Sequence, residues 1–266
     1  MMNLAEYRRK GTRLADYLPW AALVAPGVVL NKDGSLQRSA RFRGPDLDSA
    51  VAAELVAVAG RINNAFRRLG SGWAIFVEAQ RVASADYPDS RFPDPASALL
   101  DAERRAGFAE QGAHFQSDYL LTFLYLPPAE EAARAETWLY EGREKTGIDA
   151  GEVLRGFIDR TDRVLALFDG IMPECRWLDD GETLTYLHST ISTQAHRVRV
   201  PETPTYLDAL LADQPLTGGL EPRLGDAHLR VLTLSGFPTA TTPGILDELN
   251  RLAFPYRWAT RAILMD

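Results

Sequence analysis

Cysteine and lysine are scarce in this chain of 266 residues, and each shortage excludes a class of site. The one cysteine, Cys175, cannot form an intrachain disulfide and cannot belong to a zinc site built from paired cysteines. Lysine occurs only at positions 10, 32 and 145, and none of the three follows a glycine. The Gly-Lys pair of a phosphate-binding P-loop is therefore absent from this sequence. The low cysteine content also favours the reducing cytoplasm as the compartment.

Histidine is scarce as well, and the spacing of the four histidines is not typical of a metal centre. They are His114, His188, His196 and His228. Without a His-Glu-x-x-His pattern, a metal site would need assembly over long range, an alternative that stays open. No Gly-x-Ser-x-Gly motif marks a serine nucleophile, and the acidic pair Asp179-Asp180 is typical of a helix start. The sequence predicts no catalytic residue, no nucleotide-binding residue and no metal ligand.

Long apolar runs are also missing. The longest, residues 19–30, is interrupted by Pro26 and Gly27 and is shorter than the ~20 residues that a membrane-spanning helix needs. It is not followed by the small-residue cleavage pattern of a signal peptide. With 46% hydrophobic and 24% charged residues, the composition is typical of a globular chain with one large or two modest domains.

The charge of the chain is unevenly distributed. Residues 1–43 carry a net charge of +5, whereas the whole chain carries −7. A basic end suits contact with an anionic membrane surface or an acidic partner, and the acidic remainder argues against binding of nucleic acid. The candidate contact residues are Arg8, Arg9, Lys10, Arg13, Tyr17, Leu18 and Trp20. Two alternatives stay open, namely that the basic end is a solvated arm and that Trp20 starts the core.

Hydrophobic periodicity predicts an α+β fold, with two small antiparallel or mixed sheet lobes of the split β-α-β kind and a helical middle section. The expected divisions are a basic arm over 1–25, a first lobe over 26–128, the helical section over 129–215 and a closing β-α-β unit over 216–266. In the helical section, Trp138 and Tyr140 form a candidate docking patch on a short helix, or else pack on the next helix.

Several individual elements can be predicted from turn residues and apolar stripes. Asp33-Gly34 between two extended runs predicts a hairpin, whose second strand, 36–43, is expected to be an edge or half-exposed strand. An apolar stripe predicts a long helix over 48–69, capped by Asp48. Further helices are expected over 96–115, 130–140, 149–171, 180–190, 205–211 and 243–253, and further strands over 73–79, 119–126, 229–235 and 256–265.

Collinear strings along nearly the whole chain resemble the start of the TrbE-type conjugal transfer ATPases, which belong to the type IV secretion family. The longest string, VAPGVVLNKDGS, occupies residues 24–35, and ARFRGPDL follows over 40–47. The others are residues 3–8, 18–20, 68–73, 92–95, 124–128, 177–180, 207–213 and 256–258.

The resemblance implies that the chain is the amino-terminal domain of such an ATPase and stops before the motor domain. ATP and Mg²⁺ would then bind beyond Asp266, and no cofactor is expected in this domain. The implied function is docking and assembly, with the domain peripheral at the cytoplasmic face of the bacterial inner membrane. Implied partners are inner-membrane conjugation proteins, including a small TrbD-type protein, and further copies of the chain in a dimer or hexamer.

Three alternatives to this function stay open. The first is a free-standing adaptor, and the second is a module that contacts single-stranded DNA during conjugation. The third is a free-standing enzyme whose site is assembled by the fold, which a deep polar pocket with perturbed carboxylates would support.

Overall fold

The computed structural model describes residues 13–45, 49–84, 87–110, 114–128, 150–233, 239–241 and 245–264. Within these residues the chain forms two antiparallel sheets and several helices, which confirms the predicted α+β class. The strands are β1 (Trp20–Ala25), β2 (Val28–Asn31), β3 (Leu36–Arg43), β4 (Trp73–Ser84), β5 (His114–Tyr125), β6 (Glu174–Trp177), β7 (Leu216–Thr217), β8 (Arg223–Leu224), β9 (Ala227–His228) and β10 (Tyr256–Ile263).

The larger sheet has seven strands in the order β1-β2-β3-β5-β4-β10, with β6 also paired to β3. The smaller sheet has the order β7-β8-β9. The first half of β3 pairs with β2 and the second half with β6, while β5 lies along its other side. Strand β3 is therefore not an edge strand, whereas the alternative expectation of a half-exposed strand agrees with its burial, since four of its eight residues are half-buried. Its mixed polar pattern arises because polar side chains such as Ser39 are buried between strands and helices.

The predicted hairpin around Asp33-Gly34 is confirmed. The Asp33 carboxylate accepts hydrogen bonds from the backbone N–H of Ser35, at 3.0 Å, and from its hydroxyl, at 2.6 Å. Gly34 has a φ of 82°, which glycine adopts without the steric cost that other residues bear. This local turn sets the register of β2 against β3.

The helices are α1 (Leu14–Tyr17), α2 (Ala52–Phe66), α3 (Pro95–Glu110), α4 (Ala150–Ala166), α5 (Asp180–Ser189) and α6 (Leu207–Leu211). Helix α2 confirms the long helix expected from its apolar stripe. It begins at Ala52, after Val51 donates its backbone N–H to the Glu54 carboxylate at 3.1 Å. The predicted cap, Asp48, and the helix expected over 130–140 lie outside the described residues. Helix α3 ends at Glu110, so Phe115 belongs to β5 and not to a helix.

The main core lies on one face of the larger sheet. Phe123 of β5 and Trp73 of β4 are almost fully buried there, and helices α2 and α4 cover them with Phe66 and Phe157. The ring of Phe66 lies 5.5 Å from that of Phe168, and the Trp73 ring stacks on Phe157 at the same distance. Burial of these aromatic side chains removes a large apolar area from water and so contributes strongly to folding.

A second core lies on the opposite face, where β1 and β2 meet helices α1, α5 and α6. Val28 and Val29 are consecutive in β2 and therefore face opposite sides, and they belong to the first and the second core, respectively. Trp20, Leu184 and Leu211 are buried in the second core. The rest of this sheet face, under β3, β5 and β4, is more polar and is covered in part by α5.

The closing segment of the chain differs from the predicted β-α-β unit. Strand β10 confirms the last expected strand, but it pairs with β4 of the larger sheet along eight residue positions. Residues 229–233 are irregular where a strand was expected, and a 3₁₀ helix, Asp247–Arg251, stands within the expected helix. Leu232 is 95% exposed, so this apolar run is not buried as a strand of the sheet would be. Among the described residues, no helix is long and apolar enough to cross a membrane.

Candidate functional site

The predicted contact residues near the start of the chain have different environments. Arg13 and Tyr17 are exposed, Tyr17 to 65%. Leu18 and Trp20 are buried in the second core, so neither side chain is available to a membrane surface in this conformation. Their burial favours the alternative that Trp20 starts the core. The other candidates, Arg8, Arg9, Lys10, Trp138 and Tyr140, lie outside the described residues.

A cavity of about 400 Å³ lies between helix α5 and the polar region of the second sheet face. Its sheet side is formed by Arg41, Gln80 and Asp118, and the Arg41 and Asp118 side chains form an ion pair at 3.6 Å. Its helix side includes Tyr186 and His188, and His196 closes one end. The sequence indicated no such cavity, because β3, β4, β5 and α5 come together only in the folded sheet.

Glu78 of β4 lies buried beside this cavity and is held by residues from two other elements. It forms an ion pair with the Nε of Arg257 in β10, and the Tyr186 hydroxyl donates a hydrogen bond to it at 3.0 Å. Burial raises the pKa of Glu78. The positive charge of Arg257 and the hydrogen bond from Tyr186 lower this pKa and so partly offset the effect of burial. Burial and the nearby Glu78 likewise raise the pKa of Tyr186. A perturbed carboxyl group is thus present, but its partners are those of a structural ion pair.

The start of α5 is stabilised by a second set of carboxylates. Asp179 caps the helix, its carboxylate accepting the Glu182 backbone N–H at 2.7 Å. Arg176 donates two hydrogen bonds of 2.8 Å to the Glu182 carboxylate, and these lower the pKa of Glu182 to about 2. Asp180 accepts the backbone N–H of Gly27 at 2.6 Å and so joins the helix to the turn between β1 and β2. These contacts agree with the predicted helix start at Asp179-Asp180.

Three side chains that are far apart in the sequence converge at the other end of α5. The Nε2 of His188 lies 2.8 Å from a carboxylate oxygen of Asp213, and its ring lies 4.4 Å from that of His196, centroid to centroid. His188 is buried, at 2% exposure, whereas the other two residues are exposed. The potential ligand atoms of all three lie within 4.8 Å of one another. The local spacing of these residues contains no signal that could have predicted this long-range assembly.

Cys175 of β6 is half-buried against the main core. Burial raises the pKa of its thiol to about 11, and the negative charges of Asp169 and Glu174 act in the same direction. The thiol is therefore protonated at neutral pH and poorly suited to nucleophilic chemistry, in agreement with the packing role expected from the sequence.

Helix α3 has an unusual surface for its length, since none of its sixteen residues is buried. Leu99 and Leu100 are 65% and 62% exposed. Two contacts attach the helix to neighbouring segments. The Tyr87 hydroxyl donates a 2.8 Å hydrogen bond to Asp101, and the Phe108 ring stacks on His114 of β5. The adjacent exposed leucines make this helix a candidate surface for contact with another protein.

Comparisons with known proteins give the relationship of this chain. Residues 27–133 match the family described as the type IV secretion system ATPase VirB4/TrbE, N-terminal domain. This segment contains most of the larger sheet, from β2 to β5, together with α2 and α3.

Three conjugal transfer proteins are similar to the chain. The TrbE protein of Rhizobium radiobacter is 34% identical over 283 residues, which cover 100% of this chain and 34% of that protein. Sinorhizobium fredii has a probable TrbE protein in two pieces. The first piece is 42% identical over 51% of this chain and 93% of its own length. The second piece is 35% identical over 32% of this chain and 13% of its own length.

The chain thus spans about a third of the length of the Rhizobium radiobacter relative and nearly all of the first Sinorhizobium fredii piece. The similarity to the Rhizobium radiobacter protein, at 34% identity, extends along the whole chain. The similarity to the first Sinorhizobium fredii piece, at 42% identity, covers 93% of that piece. The chain therefore belongs to the VirB4/TrbE family of type IV secretion system ATPases and corresponds to its N-terminal domain.

Proposed function

We propose that this chain is the docking and assembly domain of an ATPase for conjugal DNA transfer, linking the ATP-hydrolysing motor to the inner-membrane complex. It works as a peripheral domain at the cytoplasmic face of that membrane. ATP and Mg²⁺ bind elsewhere in the whole protein, since this chain has no Gly-Lys pair to hold a phosphate. Its partners are inner-membrane conjugation proteins, including a small TrbD-type protein, and other copies of the ATPase in a dimer or hexamer.

The exposed face of α3 carries this proposal. It lies within the matched family region, and contact of its two adjacent exposed leucines with another molecule would bury their apolar surface. Val56 of helix α2 and Val51, the residue before that helix, are also exposed, to 71% and 62%.

Co-purification from donor cells that produce the conjugation machinery tests the proposal. The full chain, tagged and extracted with mild detergent, is expected to retain the TrbD-type protein. The double variant Leu99→Ser and Leu100→Ser should reduce the retained amount by at least about tenfold, because a loss of about 1.4 kcal/mol of binding free energy from the two side chains together corresponds to a tenfold change in affinity. The fold should persist, since neither side chain is buried.

The matched control is Glu103→Ala with Arg104→Ala, which alters exposed residues of the same helix without changing its apolar pair. This control should retain the membrane protein at the level of the unaltered chain. Equal retention by the leucine variant and the control, with both proteins folded, would refute the docking role of α3. Loss in both would place the contact on charged residues and would contradict the role of the leucines.

A further inference from the structure

The cluster of His188, His196 and Asp213 has the composition of a metal-binding site. It combines two imidazole nitrogens with one carboxylate oxygen, and it is the one such group of three among the described residues. The site lies where three segments of the chain meet, since His188 is near the end of α5, Asp213 follows α6 and His196 belongs to the extended segment between these helices. None of the contacts argued for the docking role uses these residues.

The segment that carries His196 is held against Asp213 and its neighbour by side-chain hydrogen bonds. The Gln214 side-chain oxygen accepts the Thr193 backbone N–H at 2.9 Å and the Thr193 hydroxyl at 3.1 Å. The Ser192 hydroxyl donates to the Asp213 carboxylate at 3.3 Å. These contacts position the exposed imidazole beside the buried one, so the cluster is built by its surroundings and is not a chance approach of two long side chains.

The geometry of the cluster suits a cation. The Asp213 carboxylate lies 2.8 Å from the Nε2 of His188 and accepts the Ser192 hydroxyl at 3.3 Å, so its oxygens are held beside the imidazole. Two imidazoles and one carboxylate each offer one potential ligand atom, and these three atoms lie within 4.8 Å of one another. The 2.8 Å between the Nε2 of His188 and the Asp213 oxygen is a hydrogen-bond distance, which would widen by about 0.5 Å to reach the separation of about 3.3 Å between two ligands of a tetrahedral ion with bonds of about 2 Å.

We propose that His188, His196 and Asp213 bind a divalent first-row transition metal ion of the Zn²⁺ class. Two histidines and one carboxylate form a ligand set suited to such an ion, with a remaining coordination position for water or a further ligand. Both histidines line the cavity beneath α5, so that position is accessible from the cavity. The ion replaces the hydrogen bond between His188 and Asp213 and joins α5, the segment after it and the end of α6.

Binding of metal ions to the purified full chain tests the proposal. Titration with Zn²⁺ should show one ion per chain, and Co²⁺ should give the visible absorption bands of an ion held by nitrogen and oxygen ligands. The variant His196→Ala should weaken Zn²⁺ binding by at least about tenfold, since even the loss of a residue that only orients a ligand weakens metal binding by about 10- to 100-fold. Since His196 is exposed, this variant should fold as the unaltered chain does.

The matched control is His228→Ala, because His228 is also exposed and lies 3.3 Å from a carboxylate, that of Glu221, outside the three-residue cluster. This variant should bind Zn²⁺ as tightly as the unaltered chain. Zn²⁺ should also raise the melting temperature of the unaltered chain and of His228→Ala, but not that of His196→Ala. Equal affinities in all three proteins, or absence of Co²⁺ bands in the unaltered chain, would overturn the assignment.

Discussion

Arg257 is a single residue on which contacts between three elements depend. From β10 it forms the ion pair with Glu78 of β4, and it donates hydrogen bonds of 2.8 Å to the backbone oxygen and the hydroxyl of Ser189 in α5. Glu78 is 7% exposed, so its charge depends on this partner. A buried carboxylate without its counter-charge is one of the few defects that strongly destabilise a protein.

The variant Arg257→Ala is therefore expected to lower the free energy of unfolding by about 2 kcal/mol, somewhat less than for a fully buried pair because solvent reaches a fraction of the arginine. Urea denaturation measures this loss. The control Arg261→Ala changes an exposed arginine on the same strand and should cost much less. Equal losses of unfolding free energy in the two variants would show that the ion pair with Glu78 is not the reason why Arg257 stabilises the fold.

The pair of Arg176 and Glu182 predicts a defined dependence of stability on pH. Hydrogen bonds from Arg176 lower the pKa of Glu182 from 4.5 to about 2 in the folded chain. A carboxyl group with a lowered folded-state pKa stabilises the fold above its unfolded pKa and loses that contribution as the pH falls through the folded value. The free energy of unfolding of the unaltered chain should exceed that of Glu182→Gln by the largest amount near pH 7. This difference should shrink as the pH falls from about 5 towards 2.

Urea denaturation of both proteins across this pH range measures the advantage. Arg176→Gln serves as a matched variant, since it removes the same pair from the other side and should give the same pH profile. An advantage that stays constant down to the lowest pH would contradict the assigned cause of the shift.

At the scale of elements, the turn between β1 and β2 requires glycine. Gly27 has a φ of +67°, and a Cβ there would lie 2.5 Å from the carbonyl oxygen of Leu178. The substitution Gly27→Ala should cost about 2 kcal/mol or more of stability, because it combines a strained backbone with a clash against another backbone. Thermal and urea unfolding of the variant check this value.

Gly60 provides the opposite case in the middle of α2, where a Cβ would meet nothing within 4 Å. Gly60→Ala should leave the fold intact and raise its stability by up to about 1 kcal/mol, since alanine has the higher helix propensity. If both alanine variants were destabilised alike, neither the close approach at Gly27 nor the open position at Gly60 would explain the result.

Prediction of elements succeeded where the signal was local. The apolar stripe of α2, the acidic start of α5 and the Asp33-Gly34 turn each depend on residues within a few positions of one another, and all three are confirmed. The run over 19–30 shows the limit, since its apolar residues form β1 and β2 around the Pro26-Gly27 turn. A strand buried on both faces lacks alternation, so its periodicity carries no information about its neighbours.

At the scale of the whole molecule, the sheet joins the two halves of the chain. Strand β6 pairs with β3 and strand β10 with β4, so the second half supplies two of the seven strands of the larger sheet. The related protein of Sinorhizobium fredii is divided into two pieces, and this chain is similar to both. We expect fragments 1–140 and 141–266, when co-expressed, to associate through these strand pairs and through the contact of α4 with the main core.

Co-purification through a tag on one fragment, followed by size-exclusion chromatography, measures this association. The variant Phe157→Ala in the second fragment should weaken it, because Phe157 is 1% exposed and stacks on Trp73 of the first. Phe254→Ala, at a position that is 53% exposed, is the matched control and should leave the association unchanged. Fragments that elute separately would contradict the interdependence of the two halves.

The sequence by itself determined the α+β class, the long helices, the hairpin, the lack of a P-loop and the family, because each depends on local patterns or on collinear strings. Only the tertiary structure decided that β3 lies inside the sheet, that β10 joins β4 and that Trp20 is buried. It also brought His188, His196 and Asp213 together. Pairing between distant segments depends on the free energy of the whole packed sheet. A short stretch of sequence contributes only a small part of that free energy, so it does not specify its own neighbours.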